Sequence, residues 1–145
     1  LIEQNVKLKF FGNISAFGNK VSTKINDAEA QTNFEDPSLF LNIALGYGGR
    51  MDILNAINKI LDESRNKETV IDEEKFFDYL DAPIKDLDLL IRTGGEMRLS
   101  NFLLFHIAYT ELFFTEQLWP DFTKKDFVNC IDSFLSRDRR FGKRV

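Results

Sequence analysis

Two arginines, two glycines and a serine fall within nine positions: Arg92, Gly94, Gly95, Arg98 and Ser100. Each guanidinium is a planar fork of donors that matches the paired oxygens of a phosphate. Adjacent glycines let backbone N–H groups turn toward an anion without side-chain obstruction. A serine just ahead of a helix adds a hydroxyl where free N–H groups already make the field positive. Together these residues suit a phosphate or diphosphate. They also suit a plainer arrangement, a glycine turn flanked by surface arginines with one of them paired to Glu96, because a glycine loop alone is a weak signal.

A second basic group, Arg137, Arg139, Arg140, Lys143 and Arg144, closes the chain. Such a run is either a solvated tail or a further grip on phosphate. The single Cys130 excludes an internal disulfide and a cysteine zinc site, and its apolar neighbours mark it as a buried structural thiol. His106, on a short apolar segment, reads as a core histidine rather than a ligand.

The elements that must position these groups follow from pattern. Val6 to Phe11 is an apolar run closed by Gly12-Asn13, as in a strand and its turn. Val21, Ile25, Ala28 and Thr32 recur at helical steps and predict a helix over 15–32. Leu39 to Leu45 is a second strand, apolar enough to be buried on both faces. Gly46-Tyr47-Gly48-Gly49 follows, then a helix with Leu54, Ile57 and Leu61 on one side. Asp72 is placed to cap a helix reaching about Leu80. Leu87 to Ile91 is a third strand, and the Arg92–Ser100 loop leaves its carboxyl end, where open α/β sheets bind ligands. A short helix over 101–107 and a fourth strand over 111–114 come next. Thr123 and Asp126 form a capping box for a last helix whose buried face is Phe127, Ile131, Phe134 and Leu135. This order predicts one α/β domain over residues 1–145, a mainly parallel four-stranded sheet flanked by helices.

Composition narrows the function. With 145 residues, 43% apolar and 29% charged, the chain reads as a soluble globular domain. Its 15 phenylalanines imply a bulky core or an apolar cavity. A net charge of −4 argues against a nucleic-acid partner held by a basic face. No apolar run reaches membrane-spanning length, and a reducing compartment fits the cysteine usage.

The run Arg92-Thr93-Gly94-Gly95-Glu96-Met97-Arg98-Leu99-Ser100-Asn101-Phe102-Leu103-Leu104 closely resembles the signature of cis-prenyltransferases of the undecaprenyl diphosphate synthase type. The resemblance continues through Ala108–Phe114, Leu118–Phe122, Asn42–Ala44, Tyr47–Ile53 and Arg139–Gly142, nearly the whole chain in the right order. It implies an undecaprenyl diphosphate synthase-like fold. It further implies an enzyme that condenses isopentenyl diphosphate with an allylic diphosphate, such as farnesyl diphosphate, into a Z-polyprenyl diphosphate.

By that resemblance Arg92, Arg98 and Ser100, with Gly94 and Gly95, hold the diphosphate of isopentenyl diphosphate. Glu111 serves near Mg2+, a hard cation suited to carboxylate oxygen; taken alone it is a strand-end surface charge. Arg140-Phe141-Gly142 matches the family's terminal arginine-any-glycine motif, so Arg140 and Gly142 contact diphosphate across a homodimer interface. The family's aspartate–glycine–asparagine–glycine–arginine phosphate loop, with its catalytic aspartate, is absent from this sequence. The chain is therefore expected to be the carboxyl-terminal part of such an enzyme, incomplete on the amino-terminal side, with no catalytic residue of its own. A noncatalytic partner subunit is the alternative. A cytoplasmic location with loose membrane association is expected, organellar in a eukaryote.

Overall fold

The structure, a computed structural model, describes residues 1–64 and 70–139. By their contacts the residues form two units, one of Leu1–Ile84 with Asn101–Leu103, the other of Lys85–Ser100 with the described residues from Leu104 onward.

In the first unit β1 (Val6–Phe11) and β2 (Leu39–Ala44) run parallel, paired from Val6↔Leu39 to Phe11↔Ala44. Between them in sequence lies α1 (Asn19–Gln31), which contributes Ile25 to a core that also holds Val6, Leu8 and Phe11. The end of α1 also satisfies an edge of β1. Leu8 N–H donates to Thr32 Oγ1 at 3.2 Å and Phe10 N–H to Glu29 Oε1 at 2.6 Å. Side-chain acceptors thus stand in where a further strand's carbonyls would otherwise pair, which blunts an exposed edge. The helix expected over 15–32 is interrupted. Gly18, at φ +80°, separates a 3-10 turn (Ile14–Phe17) from α1, a backbone conformation that ends one helix and lets the next begin at Asn19.

After β2 comes α2 (Gly49–Glu63), which buries Asp52 and Ala56 while Leu54, Ile57 and Leu61 stay exposed. The short α3 (Glu73–Phe77) starts as its sequence indicates, with the Asp72 carboxylate accepting from Lys75 N–H at 2.9 Å.

In the second unit β3 (Leu89–Arg92) and β4 (Glu111–Phe114) form another parallel pair, Leu89↔Glu111 through Arg92↔Phe114. The last helix, α4 (Lys124–Leu135), begins at the expected capping box: Asp126 N–H meets Thr123 Oγ1, and Thr123 N–H meets Asp126 Oδ2 at 2.8 Å. Its buried residue is Cys130; Phe127 and Leu135, expected to face inward, are exposed.

The fold is α/β with parallel strands and helices, as the sequence order implies. Two details differ. The four strands form two two-stranded sheets rather than one ladder. The other is that β2, expected to be covered on both faces, leaves Leu39 and Phe40 more than half exposed. No helix among the described residues is long and apolar enough to cross a membrane.

Candidate functional site

Arg92 ends β3, and its carbonyl accepts from Thr115 N–H at 3.0 Å, so its backbone is fixed by the ladder to β4. From that point Nη1 donates to Ser100 Oγ at 3.0 Å and to the Arg98 carbonyl. One guanidinium therefore closes the whole loop from 92 to 100. Both acceptors are neutral oxygens, so Arg92 keeps its full charge on a half-buried stem.

The rest of the loop departs from expectation in three ways. Gly94 N–H donates to the Gln117 carbonyl at 2.7 Å and Gly95 N–H to the Thr115 carbonyl at 2.8 Å, so these amides fasten the loop to the segment after β4 instead of facing an anion. The need for glycine is conformational: φ is +91° and +75°, a region that L side chains avoid. Second, Arg98 forms an ion pair with Glu96, and both side chains are largely exposed. Third, no helix follows Ser100. Ser100, Asn101 and Leu103 all have positive φ, and residues 101–109 form turns.

Asn101 explains why. Its carbonyl accepts from Gly49 N–H at 2.7 Å and its Oδ1 from Arg50 N–H at 2.9 Å, which satisfies the free amides that open α2. A Cβ on Gly48 would lie 2.8 Å from Asn101 Nδ2. The glycine pattern before α2 thus serves this close approach. The sequence signal was present in Gly48-Gly49, but nothing in the spacing named Asn101 as the partner.

Glu111 is the first residue of β4 and pairs with Leu89, whereas Arg92 pairs with Phe114. The two lie at opposite ends of the ladder, three steps or about 10 Å apart along the strand. The Glu111 carboxylate meets Arg137 Nη1 at 2.7 Å, and that same nitrogen donates to the Leu112 carbonyl at 3.3 Å. Nearby, Arg139 Nη1 donates to Asp88 Oδ1 at 2.6 Å, with its guanidinium 5.2 Å from the Phe134 ring centre. Arg140 and Gly142 lie outside the described residues. The structure thus brings Arg92 and Ser100 together with the Arg98 backbone. Glu111 lies at the other end of the ladder, and the Arg98 guanidinium is paired with Glu96.

Among the described residues no three carboxylate, histidine or cysteine side chains converge as a metal cage. A single carboxylate is still compatible with magnesium, which is commonly held by one or two carboxylates plus substrate phosphates. The Glu111 carboxylate is held through Oε2 by Arg137, and a carboxylate oxygen is the type of donor that magnesium takes.

The first unit holds a cavity of about 520 Å³ at the carboxyl ends of β1 and β2, lined by Tyr47, Asp52, Asn55 and Asp81 among others. Its two carboxylates are partnered, Asp81 by Lys59 Nζ at 2.9 Å. Asp52, 2% exposed, accepts from Tyr47 Oη at 2.7 Å and from Asp81 N–H at 2.7 Å. Burial first, then the Asp52 hydrogen bond and the nearby carboxylates, push the Tyr47 phenol far above its ordinary range. His106 is buried with Nδ1 3.2 Å from the Lys85 carbonyl, the core position expected of it.

The model of the family described as "Putative undecaprenyl diphosphate synthase" matches residues 1–142. The chain belongs to this family. Within it, the sequence is 46% identical over 146 residues to a ditrans,polycis-undecaprenyl-diphosphate synthase, described as (2E,6E)-farnesyl-diphosphate specific, from Buchnera aphidicola, covering 98% of this chain and 58% of that protein. It is 46% identical over 144 residues to an isoprenyl transferase of Thermotoga maritima, covering 98% of this chain and 61% of that protein. Among solved structures, lavandulyl diphosphate synthase from Lavandula x intermedia, in complex with dimethylallyl diphosphate, superposes with a TM-score of 0.89 at 34% identity, covering 97% of this chain and 62% of that one. The chain therefore spans about three-fifths of the length of these relatives.

Proposed function

We propose that this chain supplies the isopentenyl diphosphate grip of a cis-prenyltransferase, which joins isopentenyl diphosphate to an allylic diphosphate and releases a Z-polyprenyl diphosphate. The observation that carries the reading is Arg92, charged and bonded to neutral oxygens, aligned with Ser100 Oγ at the carboxyl end of β3. A diphosphate with about three negative charges gains from fixed cations in a loop already folded around them. Arg98 joins by exchanging Glu96 for the ligand. The Gly94 and Gly95 amides shape the loop and do not contact the headgroup.

In the reaction the allylic diphosphate departs, the isopentenyl double bond attacks the allylic carbon, and loss of a proton leaves the new cis double bond. Mg2+, with Glu111 as one donor, would neutralise diphosphate charge. The active form is a homodimer in which Arg140 and Gly142 reach the neighbouring subunit's diphosphate. The protein works in the cytoplasm, loosely associated with a membrane that takes up its product.

Incorporation of radiolabelled isopentenyl diphosphate by the full-length gene product, with farnesyl diphosphate and magnesium, tests this. Losing a hydrogen bond to a charged group costs about 1.5–3 kcal/mol, roughly a 10- to 100-fold effect. Arg92→Ala should lose at least that in kcat/KM. Arg98→Ala should lose less, because its fork starts in an ion pair with Glu96. Normal turnover with both arginines removed would refute the assignment.

A further inference from the structure

Two ion pairs lie at the amino-terminal ends of β3 and β4. Glu111 pairs with Leu89 across the strands, and its N–H donates to the carbonyl of Asp88, the residue before, at 3.0 Å. Two residues apart on the segment leaving α4, Arg137 takes Glu111 and Arg139 takes Asp88. Isolated surface pairs contribute little, so what matters is how firmly each fork is held. Arg137 adds a bond to the Leu112 carbonyl, so its fork is fixed to the strand backbone as well as to the carboxylate. Its position just past the end of α4, where a cation is favoured by the helix dipole, holds it there from the other side.

From this geometry we infer that Arg137 is a positioning residue: it aims the Glu111 carboxylate, and acts on the reaction only through it. The inference rests on the role proposed above for Glu111. The Glu111 side chain is about a quarter exposed, so without the fork it would sample several rotamers. With it, one oxygen is pinned by Nη1 and the other is left to a ligand. The consequence is a penalty for losing Arg137 that exists only while Glu111 is present.

A double-mutant cycle on the full-length gene product tests this, with Arg137→Met, Glu111→Gln and the pair. The readouts are kcat and KM for isopentenyl diphosphate, and calorimetric binding of inorganic pyrophosphate with magnesium, which needs no turnover. Arg137→Met alone should raise KM and weaken pyrophosphate binding by about 5- to 20-fold, less than the full 10- to 100-fold of a lost bond to a charged group because Arg137 acts only through Glu111. In the Glu111→Gln background the same change should cost less than about twofold. Arg137→Lys, which keeps the charge but not the fork, should recover part of the loss, and it carries the cycle if the methionine variant does not fold. Equal penalties in both backgrounds would overturn the inference while leaving the Glu111 role intact. A Glu111→Gln protein with unaltered KM and pyrophosphate binding would remove that role and the inference with it.

Discussion

At the scale of single residues, buried polar groups carry the sharpest consequences. Asp52 holds the Tyr47 hydroxyl and the Asp81 amide at once. Asp52→Ala would strand two donors, each worth about 1–3 kcal/mol when left unsatisfied, so the thermal or urea midpoint should fall by the equivalent of about 2–5 kcal/mol. Cys130, 1% exposed, has its thiol pushed up by burial and by the nearby Asp126 carboxylate. A raised value means less thiolate at any given pH. Iodoacetamide at pH 8.5 should therefore label the folded protein at least about tenfold more slowly than the urea-unfolded chain; equal rates would show the thiol to be accessible. The buried thiol was legible in the sequence because Cys130 stands among apolar neighbours. The Asp52 junction was not, since its partners come from a turn and a segment 29 residues on, and no local pattern couples them. Arg137 was visible only as one of several terminal cations, because charge counts do not reveal which carboxylate a fork will meet.

At the scale of elements, turn and cap chemistry was the most readable. The Thr123–Asp126 box and the Asp72 cap form as their spacing dictates, because a side-chain oxygen three residues from an open amide has one good geometry. Thr123→Ala should cost about 1 kcal/mol, seen as a small drop in the unfolding midpoint. Asp126 is held below its ordinary range by the Thr123 hydroxyl and amide. A depressed carboxylate stabilises the fold at pH above its unfolded value and loses that effect as pH falls through the folded one. The penalty of Thr123→Ala should accordingly shrink in acid. Gly12 makes a stricter demand: at φ +103° a Cβ would lie 2.6 Å from the Leu45 carbonyl oxygen. Gly12→Ala should lower stability by about 1–3 kcal/mol, more than the cap, because the opposing atom is backbone. The helix expected after Ser100 failed for a local reason too. Asn101 is spent on the α2 amides with its own backbone left-handed.

At the scale of the whole molecule, the element order conveyed the fold class, since strands alternating with helices admit few arrangements. Burial was less legible. An apolar strand reads as covered on both faces, yet Leu39 and Phe40 on β2, Leu54 and Leu61 on α2, and Leu135 on α4 are exposed. Pattern states what a residue would prefer to touch, not what is there to touch it. Exposed apolar area of this kind binds hydrophobic dyes and promotes association. The 145-residue chain should enhance anilinonaphthalene sulfonate fluorescence without denaturant, and Phe40→Lys with Leu61→Lys should diminish the signal without lowering the unfolding midpoint. An unchanged signal would place the dye elsewhere.

The four rungs joining β3 to β4 also act as a gauge block. They set the backbone span between the residue that carries the acid, on the first rung, and the one that carries the guanidinium, on the last, and rotamer changes act only on what the side chains add to it. Anything that engages both ends must bring its own reach. Inserting one residue into either strand would turn the remaining side chains over to the other face, so length here should tolerate change far less than side-chain identity does.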